Sequence, residues 1–232
     1  MQMKDFPELA ASRRSTRDFS DREVAPELLD EILADAACAP SWSNTRPYVL
    51  ALAVGDDARD LADAYCAQWD ARLARVDAGL EAIAPDGDFE VWGRYPEELR
   101  ARSVEIGRAL YERLGIDRSD RAARDAWTRR NFEAFGAPVI GLVYVHEGLL
   151  PFSAHDAGLM LSHLFLSAAA RGLATCALGN LAVWRSPGDS LFDVPEGYRL
   201  LTGFALGHAT DADVNGFEAA RIGVPLVAKR GE

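Results

Sequence analysis

The feature that most constrains the fold of this chain is a stretch around residue 160 that is apolar on nearly every side of a helix. From Ser153 to Ala170 the sequence reads SAHDAGLMLSHLFLSAAA, and Gly172 follows where the helix is expected to end. Ser153 to Asp156 resembles a capping box at its start. A helix that is hydrophobic all round is buried, either in a protein core or in a subunit interface.

Around this helix the sequence alternates between strand and helix patterns without a regular βαβ repeat. Short apolar runs predict strands at 48–54, 138–145, 173–178 and 199–207. Helical spacing predicts helices at 5–14, from Pro26 to Ala39, at 57–80 and at about 97–135 with a break at Gly115. This order favours an α+β fold in a single domain over residues 1–232.

The middle third, about residues 56–130, is the most charged part of the chain and reads as helices. Its alternating arginine and acidic residues are typical of a solvated helix surface. Its aromatic residues offer a second interpretation, the lining of a substrate mouth: Trp69, Phe89, Trp92 and Tyr95.

Charge and cysteine content exclude several classes of function. The chain has 232 residues and a net charge of -11, the wrong sign for general binding to nucleic acid or to an anionic membrane. Its three cysteines form no CxxC pair, and Cys38 and Cys176 lie in apolar sequence typical of buried structural thiols. With no signal-peptide or membrane-span pattern, we expect a cytoplasmic protein with free thiols.

The common catalytic signatures are absent from the sequence. It contains no GxGxxG after a strand, no GxxxxGK[ST], no HExxH and no GxSxG. His and Cys residues do not cluster at metal-ligand spacing, so we expect no metal site. The sequence therefore shows no motif for hydrolysis by a side-chain nucleophile or by a bound metal.

Two polar segments point instead to a phosphorylated ligand. Arg13-Arg14-Ser15-Thr16-Arg17 concentrates three guanidinium groups and two hydroxyls, which bind phosphate well. About 25 residues later, a loop bracketed by Pro40 and Pro47 carries Asn44, whose amide suits the edge of a pyrimidine-like ring. Together they predict a site for a phosphorylated heteroaromatic compound. The alternative is a surface arginine cluster that pairs with nearby acids.

The pairing of these two segments resembles the FMN-dependent nitroreductase family. The first segment continues as Arg-Arg-Ser-Thr-Arg-Asp-Phe, and the second reads Ala-Pro-Ser-x-x-Asn-x-x-Pro-aromatic. Further similar pieces follow in the same order, at residues 135–139, 156–176, 206–208 and 221–226. The resemblance covers most of the chain except about residues 56–130, which it implies to be a variable helical insert near the active site.

The resemblance implies a mixed, mostly antiparallel sheet flanked by helices, in an intertwined homodimer that holds FMN between subunits. It implies hydride transfer from NADPH or NADH through flavin N5 to a nitroaromatic, quinone or similar small aromatic acceptor, by a ping-pong mechanism. Other readings keep the fold and change the reaction to dehalogenation, flavin cleavage or dehydrogenation. A non-catalytic FMN-binding protein is the last alternative.

By position, the resemblance also implies roles for individual residues. The phosphate, ribityl chain and pyrimidine edge would be contacted by Arg13, Arg14, Ser15 and Arg17, and Arg221 would close on the phosphate. Arg17 would lie near N1 and O2 of the ring, where a cation stabilises reduced flavin. The ring would pack on Pro40, Ser41 and Asn44, partly from the other subunit, and on Leu178, Gly179 and Asn180, with a backbone N–H offered to N5.

Three residues depart from the family pattern, and two of them, Trp42 and Arg46, line the expected substrate pocket. The third is Tyr48, where many relatives have tryptophan. Trp42 stands where many relatives have a small residue, and it can narrow the pocket over the ring. Arg46 stands where many have glutamine. Its charge can act on the site itself, attract an anionic substrate or attract the phosphate of NADPH.

Overall fold

A computed structural model describes residues 5–227 of the chain. Its strands are β1 (Tyr48–Val54), β2 (Val139–His146), β3 (Ala174–Leu178) and β4 (Tyr198–Gly207). Its α-helices are α1 (Phe6–Ser12), α2 (Pro26–Ala36), α3 (Asp56–Asp77), α4 (Glu97–Arg113), α5 (Arg121–Phe132), α6 (Phe152–Ala170) and α7 (Ser186–Asp189). All four strands and the main helices lie where the sequence predicts them.

The four strands form one sheet in the order β1-β2-β4-β3, and each neighbouring pair is antiparallel. Beyond β3, Ser15 adds one parallel bridge to Thr175. The α+β class and the mixed, mostly antiparallel sheet are therefore confirmed. Because β1 and β3 are the two outer strands, segments attached to them lie on opposite edges of the sheet.

Helices cover both faces of the sheet. Alternate residues of β1 show this division, since Val49, Ala51 and Ala53 pack toward α3 and α5. Tyr48, Leu50 and Leu52 instead pack toward α2 and α6. Because side chains alternate along the strand, they enter two hydrophobic layers. The first layer lies between the sheet and helices α3 and α5, and the second lies between the sheet and helices α2 and α6.

Helix α6 spans the length of the second layer. It buries Ala157, Met160 and Leu164 against the sheet and α2. It ends at Ala170, and Gly172 follows with a φ of 76° that cannot continue a helix. The predicted capping box is wrong. The helix begins one residue earlier, at Phe152, so Ser153 already lies inside the first turn and makes no capping hydrogen bond.

The middle third is only partly a solvated surface. Helix α3 buries five residues in the first layer, including Trp69, whereas α4 buries none. Trp69 packs on Phe132 with ring centroids 5.5 Å apart, so its prediction as part of a substrate mouth is wrong. Trp92 covers the edge of this aromatic group, and Tyr95 is exposed.

Of the cysteines, Cys66 and Cys176 are buried but Cys38 is exposed, which corrects the expectation for Cys38. Cys38 follows the end of α2, beyond the buried residues Ile32 and Ala36 of that helix. Within residues 5–227, no helix combines the length and apolar character that a membrane crossing requires. The cytoplasmic location stays a prediction.

Candidate functional site

The arginine-rich segment is extended and lies against the outer strand β3. Helix α1 ends at Ser12, and Arg13 takes extended angles. Ser15 bridges Thr175, and the Thr16 N–H donates to the Thr175 carbonyl at 3.0 Å. Thr16 is buried, and side chains alternate along extended backbone, so Arg13, Ser15 and Arg17 share the other side.

Four residues predicted to bind FMN meet in one cleft. Arg13, Ser15, Arg17 and Arg221 line a cavity of about 220 Å³. Arg221 reaches across 208 residues of sequence to donate from Nη2 to the Arg13 carbonyl at 2.8 Å. Arg14 lines the same cleft, but its guanidinium forms an ion pair with Glu218 at 2.9 Å.

The charge in this cleft is concentrated and positive. Among residues 5–227, no acidic side chain forms an ion pair with Arg13, Arg17 or Arg221, unlike Arg14. Arg221 contacts the Arg13 backbone, and burial and the charge of Arg221 lower the pKa of the Arg13 guanidinium. Burial also raises the pKa of the Cys176 thiol nearby, so it stays neutral and offsets none of this charge. A phosphate dianion would relieve the repulsion.

Sequence reasoning missed the residue that fixes this segment in place. The side-chain oxygen of Asn215 accepts from the Arg17 N–H at 2.8 Å, and its amide nitrogen donates to the carbonyls of Asp18 and Thr210. Arg17 also lies 5.8 Å from the ring centroid of Phe217. No local motif marks Asn215, because its partners are distant in sequence.

The predicted ring loop, Pro40 to Arg46, has an unusual backbone. Ser43, Asn44 and Arg46 have φ values of 50°, 56° and 47°, a region that costs energy for residues other than glycine. Hydrogen bonds within the loop stabilise this shape, including Arg46 N–H to Ser41 Oγ at 3.0 Å.

Asp156 anchors the ring loop to α6. Its carboxylate accepts from the Trp42 N–H at 2.8 Å and contacts His155 Nδ1 at 3.0 Å. The side chain is 3% exposed. A lone acidic residue in an apolar helix was the available signal, but the sequence suggested a helix cap instead.

The outer side of the ring loop is aromatic and exposed. Trp42 is 58% exposed and packs on Phe152 with centroids 4.4 Å apart. Arg46 and Asn44 are also exposed, so the groups predicted to meet a ring and a substrate face outward.

The third predicted segment follows β3 directly. Leu178 is buried in the first layer, so only its backbone is available to a ligand. Gly179 is exposed, and the Asn180 side chain accepts from Trp92 Nε1 at 3.1 Å. In the part of the chain that the structure describes, no group of three His, Cys, Asp or Glu side chains is placed to hold a metal ion.

One chain does not bring the phosphate cleft and the ring loop together. The ring loop is bound to Asp156 near the start of α6, whereas Arg13 lines a cavity with Gly172 just beyond its end. The helical rise puts positions 156 and 172 about 24 Å apart.

Comparison with known proteins gives the same family as the motifs. The family model described as "Nitroreductase family" matches residues 10–208. The chain is 30% identical to 4-nitrobenzoate reductase of Pseudomonas putida, over 94% of this chain and 91% of that protein. It is 28% identical to nitroreductase NfnB of Mycolicibacterium smegmatis, over 93% and 88% of the two chains.

Solved structures agree in fold. The FMN and NADPH-dependent nitroreductase NfnB of Sphigopyxis sp. strain HMH superposes with a TM-score of 0.82 at 31% identity, covering 94% of each chain. The FMN-dependent NfnB of Mycobacterium smegmatis, in complex with NADPH, gives a TM-score of 0.80 at 28% identity, over 94% of this chain and 93% of that one. With its family model, its relatives and its fold in agreement, this chain belongs to the nitroreductase family.

Proposed function

We propose that this protein is an FMN-dependent oxidoreductase that uses NADPH or NADH to reduce a nitroaromatic compound, quinone or similar acceptor. The observation that carries the proposal is the phosphate cleft of Arg13, Ser15, Arg17 and Arg221. Its cations lie close together without acidic partners among the described residues. Such a cleft suits an anion that a bound cofactor would supply.

The cleft fits the phosphate end of FMN in its donor chemistry. Guanidinium groups of Arg13 and Arg221 supply forked N–H donors, and the Ser15 hydroxyl adds an oriented one. Arg17 is tied to the same extended segment and reaches toward Phe217. We assign Arg17 to the ring side, where its charge would favour reduced flavin.

The ring end of the site requires a second copy of the chain, which supports a homodimer. The ring loop and the phosphate cleft lie at opposite ends of α6, about 24 Å apart along the helix. If two α6 helices pack antiparallel about a twofold axis, the ring loop of one copy lies beside the phosphate cleft of the other. Two equivalent composite sites result.

The surface of α6 supports this packing. Although the helix is apolar on nearly all sides, part of it is left uncovered within the chain. Phe152, Gly158 and Ser162 are exposed, as are His155 and His163, and Leu159 and Leu166 are half-buried. Exposed apolar side chains on an otherwise buried helix are typical of a subunit interface.

When bound, FMN would supply the redox chemistry by accepting a hydride from the nicotinamide and passing electrons to the acceptor. The chain's own residues bind and orient. Pro40, Ser41 and Asn44 would pack at the ring, and the backbone around Gly179 and Asn180 would offer an N–H to N5. Trp42 would exclude water from the open face and narrow the entrance.

A visible spectrum of the purified protein, followed by anaerobic titration with NADH and with NADPH, tests the proposal. We expect a yellow protein or one that becomes so with FMN, bleaching by at least one nicotinamide, and reoxidation by a nitroarene. Protein that stays colourless after FMN is added would overturn it.

A further inference from the structure

The side chain of Arg46 carries a charge that nothing nearby in the described chain neutralises. Across residues 5–227, no acidic side chain lies within ion-pair distance of its guanidinium, and no hydrogen bond from that group is formed. Some exposed arginines have partners, such as Arg59 with Asp56 and Arg121 with Asp77. Others, such as Arg22 and Arg94, form no ion pair within the described residues, so what sets Arg46 apart is its place in the ring loop. In an acidic protein, an unpaired arginine in the ring loop is available to a ligand.

The backbone holds Arg46 in one direction. Its φ of 47° lies in the left-handed region, which an arginine adopts only where its surroundings require it. Its N–H donates to Ser41 Oγ at 3.0 Å, and its carbonyl accepts from the Tyr48 N–H at 2.8 Å. Pro47 follows and fixes the next φ. The base of the side chain is therefore pre-organised.

The ring loop that carries Arg46 also presents aromatic side chains, and the Asp156 carboxylate that anchors the loop is buried. Burial raises the pKa of Tyr48; the charge of Arg46 opposes that shift, and the charge of Asp156 adds to it. Asp156 is occupied by the Trp42 N–H and by His155. The exposed pair Trp42 and Phe152 offers an apolar wall for a flat ring.

We propose that Arg46 is a specificity-determining residue that binds the anionic group of a nitroarene carboxylate. This rests on the proposed function. A guanidinium binds a carboxylate through two parallel N–H donors, while Trp42 would cover the arene. A protein of net charge -11 repels anions at long range, so an anionic acceptor needs a local cation in the pocket.

The test compares two acceptors that differ only in charge, 4-nitrobenzoate and its methyl ester, with the FMN-loaded protein. We expect Arg46→Gln to lower kcat/KM for 4-nitrobenzoate about tenfold, as for loss of one carboxylate contact, and to change the ester less than twofold. Arg46→Lys should fall between. Arg59→Gln is the matched control, since Arg59 is exposed and lies beyond the other end of β1, about 20 Å away.

A second measurement needs no turnover. Benzoate binding to the oxidised holoprotein, followed by the shift of the flavin spectrum, should weaken about tenfold in Arg46→Gln. Equal effects on 4-nitrobenzoate and ester, or unchanged benzoate binding, would overturn the inference and leave the proposed function intact. A loss confined to the KM of NADPH, with NADH unchanged, would also overturn it. Failure to bind FMN would instead overturn the proposed function itself.

Discussion

The carboxylate of Asp156 accepts a hydrogen bond from the backbone N–H of Trp42 at 2.8 Å, across 114 residues of sequence. It joins the start of the central helix to a loop whose backbone takes left-handed angles at Ser43, Asn44 and Arg46. Non-glycine residues keep left-handed backbone angles only where the surrounding structure holds them there. Asp156 is therefore a positioning residue for the side chains that the loop presents.

We predict that Asp156→Ala loosens the ring loop while Asp156→Asn largely preserves it. Alanine leaves the Trp42 N–H without its acceptor, which costs about 1–3 kcal/mol of the free energy of unfolding. Asparagine keeps an acceptor oxygen at the same place. Urea unfolding measures the loss of stability, and FMN affinity from flavin fluorescence measures the effect on the ring loop.

A merely structural role for Asp156 would lower stability without a selective change at the ring. We expect instead that Asp156→Ala weakens FMN binding and raises the KM for the acceptor more than it lowers kcat. Full rescue of both by Asp156→Asn is the expected result. FMN affinity unchanged in Asp156→Ala would show that the anchor does not serve the site.

The phosphate cleft predicts a division of roles between Arg13 and Arg17. Arg13 is partly buried beside Arg221, so Arg13→Ala removes a charge aimed at the phosphate and should weaken FMN binding by at least tenfold. Arg17 lies toward Phe217, so Arg17→Ala should mainly slow flavin reduction. Isothermal titration with FMN and stopped-flow reduction by NADPH separate the two.

The control for this pair is Arg121→Ala, which removes an exposed arginine that pairs with Asp77 far from the cleft. Both FMN affinity and the reduction rate should stay at the level of the unmodified protein. Equal loss of cofactor in Arg13→Ala and Arg17→Ala would mean that both arginines serve the phosphate, and the division would be wrong.

Local patterns predicted the elements of this fold but not their distant partners. The strand at 48–54 was predicted to the residue, because an apolar run between Pro47 and Gly55 has clear limits. The arginine cluster was also visible, since its chemistry lies within five residues. Asn215 was missed, because its function depends on contacts with Arg17 and Asp18 about 200 residues away.

Burial was harder to predict than secondary structure. Cys38 looks buried in an apolar sequence, but it follows the end of α2 and is exposed. Trp69 looked available to a substrate in a charged segment, but its helix turns that side toward Phe132 and the sheet. In both cases burial depends on which side of the helix packs on the rest of the protein, and tertiary packing determines that side.

Because one side of α6 is uncovered within the chain, we predict that introducing one charged residue on that side separates the subunits. Ser162 is exposed between Leu159 and Leu166, so Ser162→Arg would place a charge in the apolar interface at a cost of several kcal/mol. We expect a monomer by light scattering and a parallel loss of FMN affinity, because each site is composite. Ala67→Arg on the exposed side of α3 is the control and should stay dimeric. A Ser162→Arg dimer with normal FMN binding would contradict both the interface and the composite site.

The buried thiol of Cys66 predicts a loss of stability in alkaline solution. Burial raises its pKa from an ordinary 9.0 to about 11, so the unfolded chain releases this proton first as the pH rises. The stabilising effect is thus complete below pH 9 and is lost toward pH 11, with a slope of at most about 1.4 kcal/mol per pH unit for one group. Urea unfolding of the protein at several pH values measures that slope.

Cys66→Ala should flatten this dependence of stability on pH while lowering stability at every pH through the cavity that it leaves. Cys38→Ala removes an exposed thiol and should leave the slope unchanged. The same slope in Cys66→Ala as in the unmodified protein would assign the alkaline loss to other groups, among them Tyr144, whose pKa burial raises to about 12.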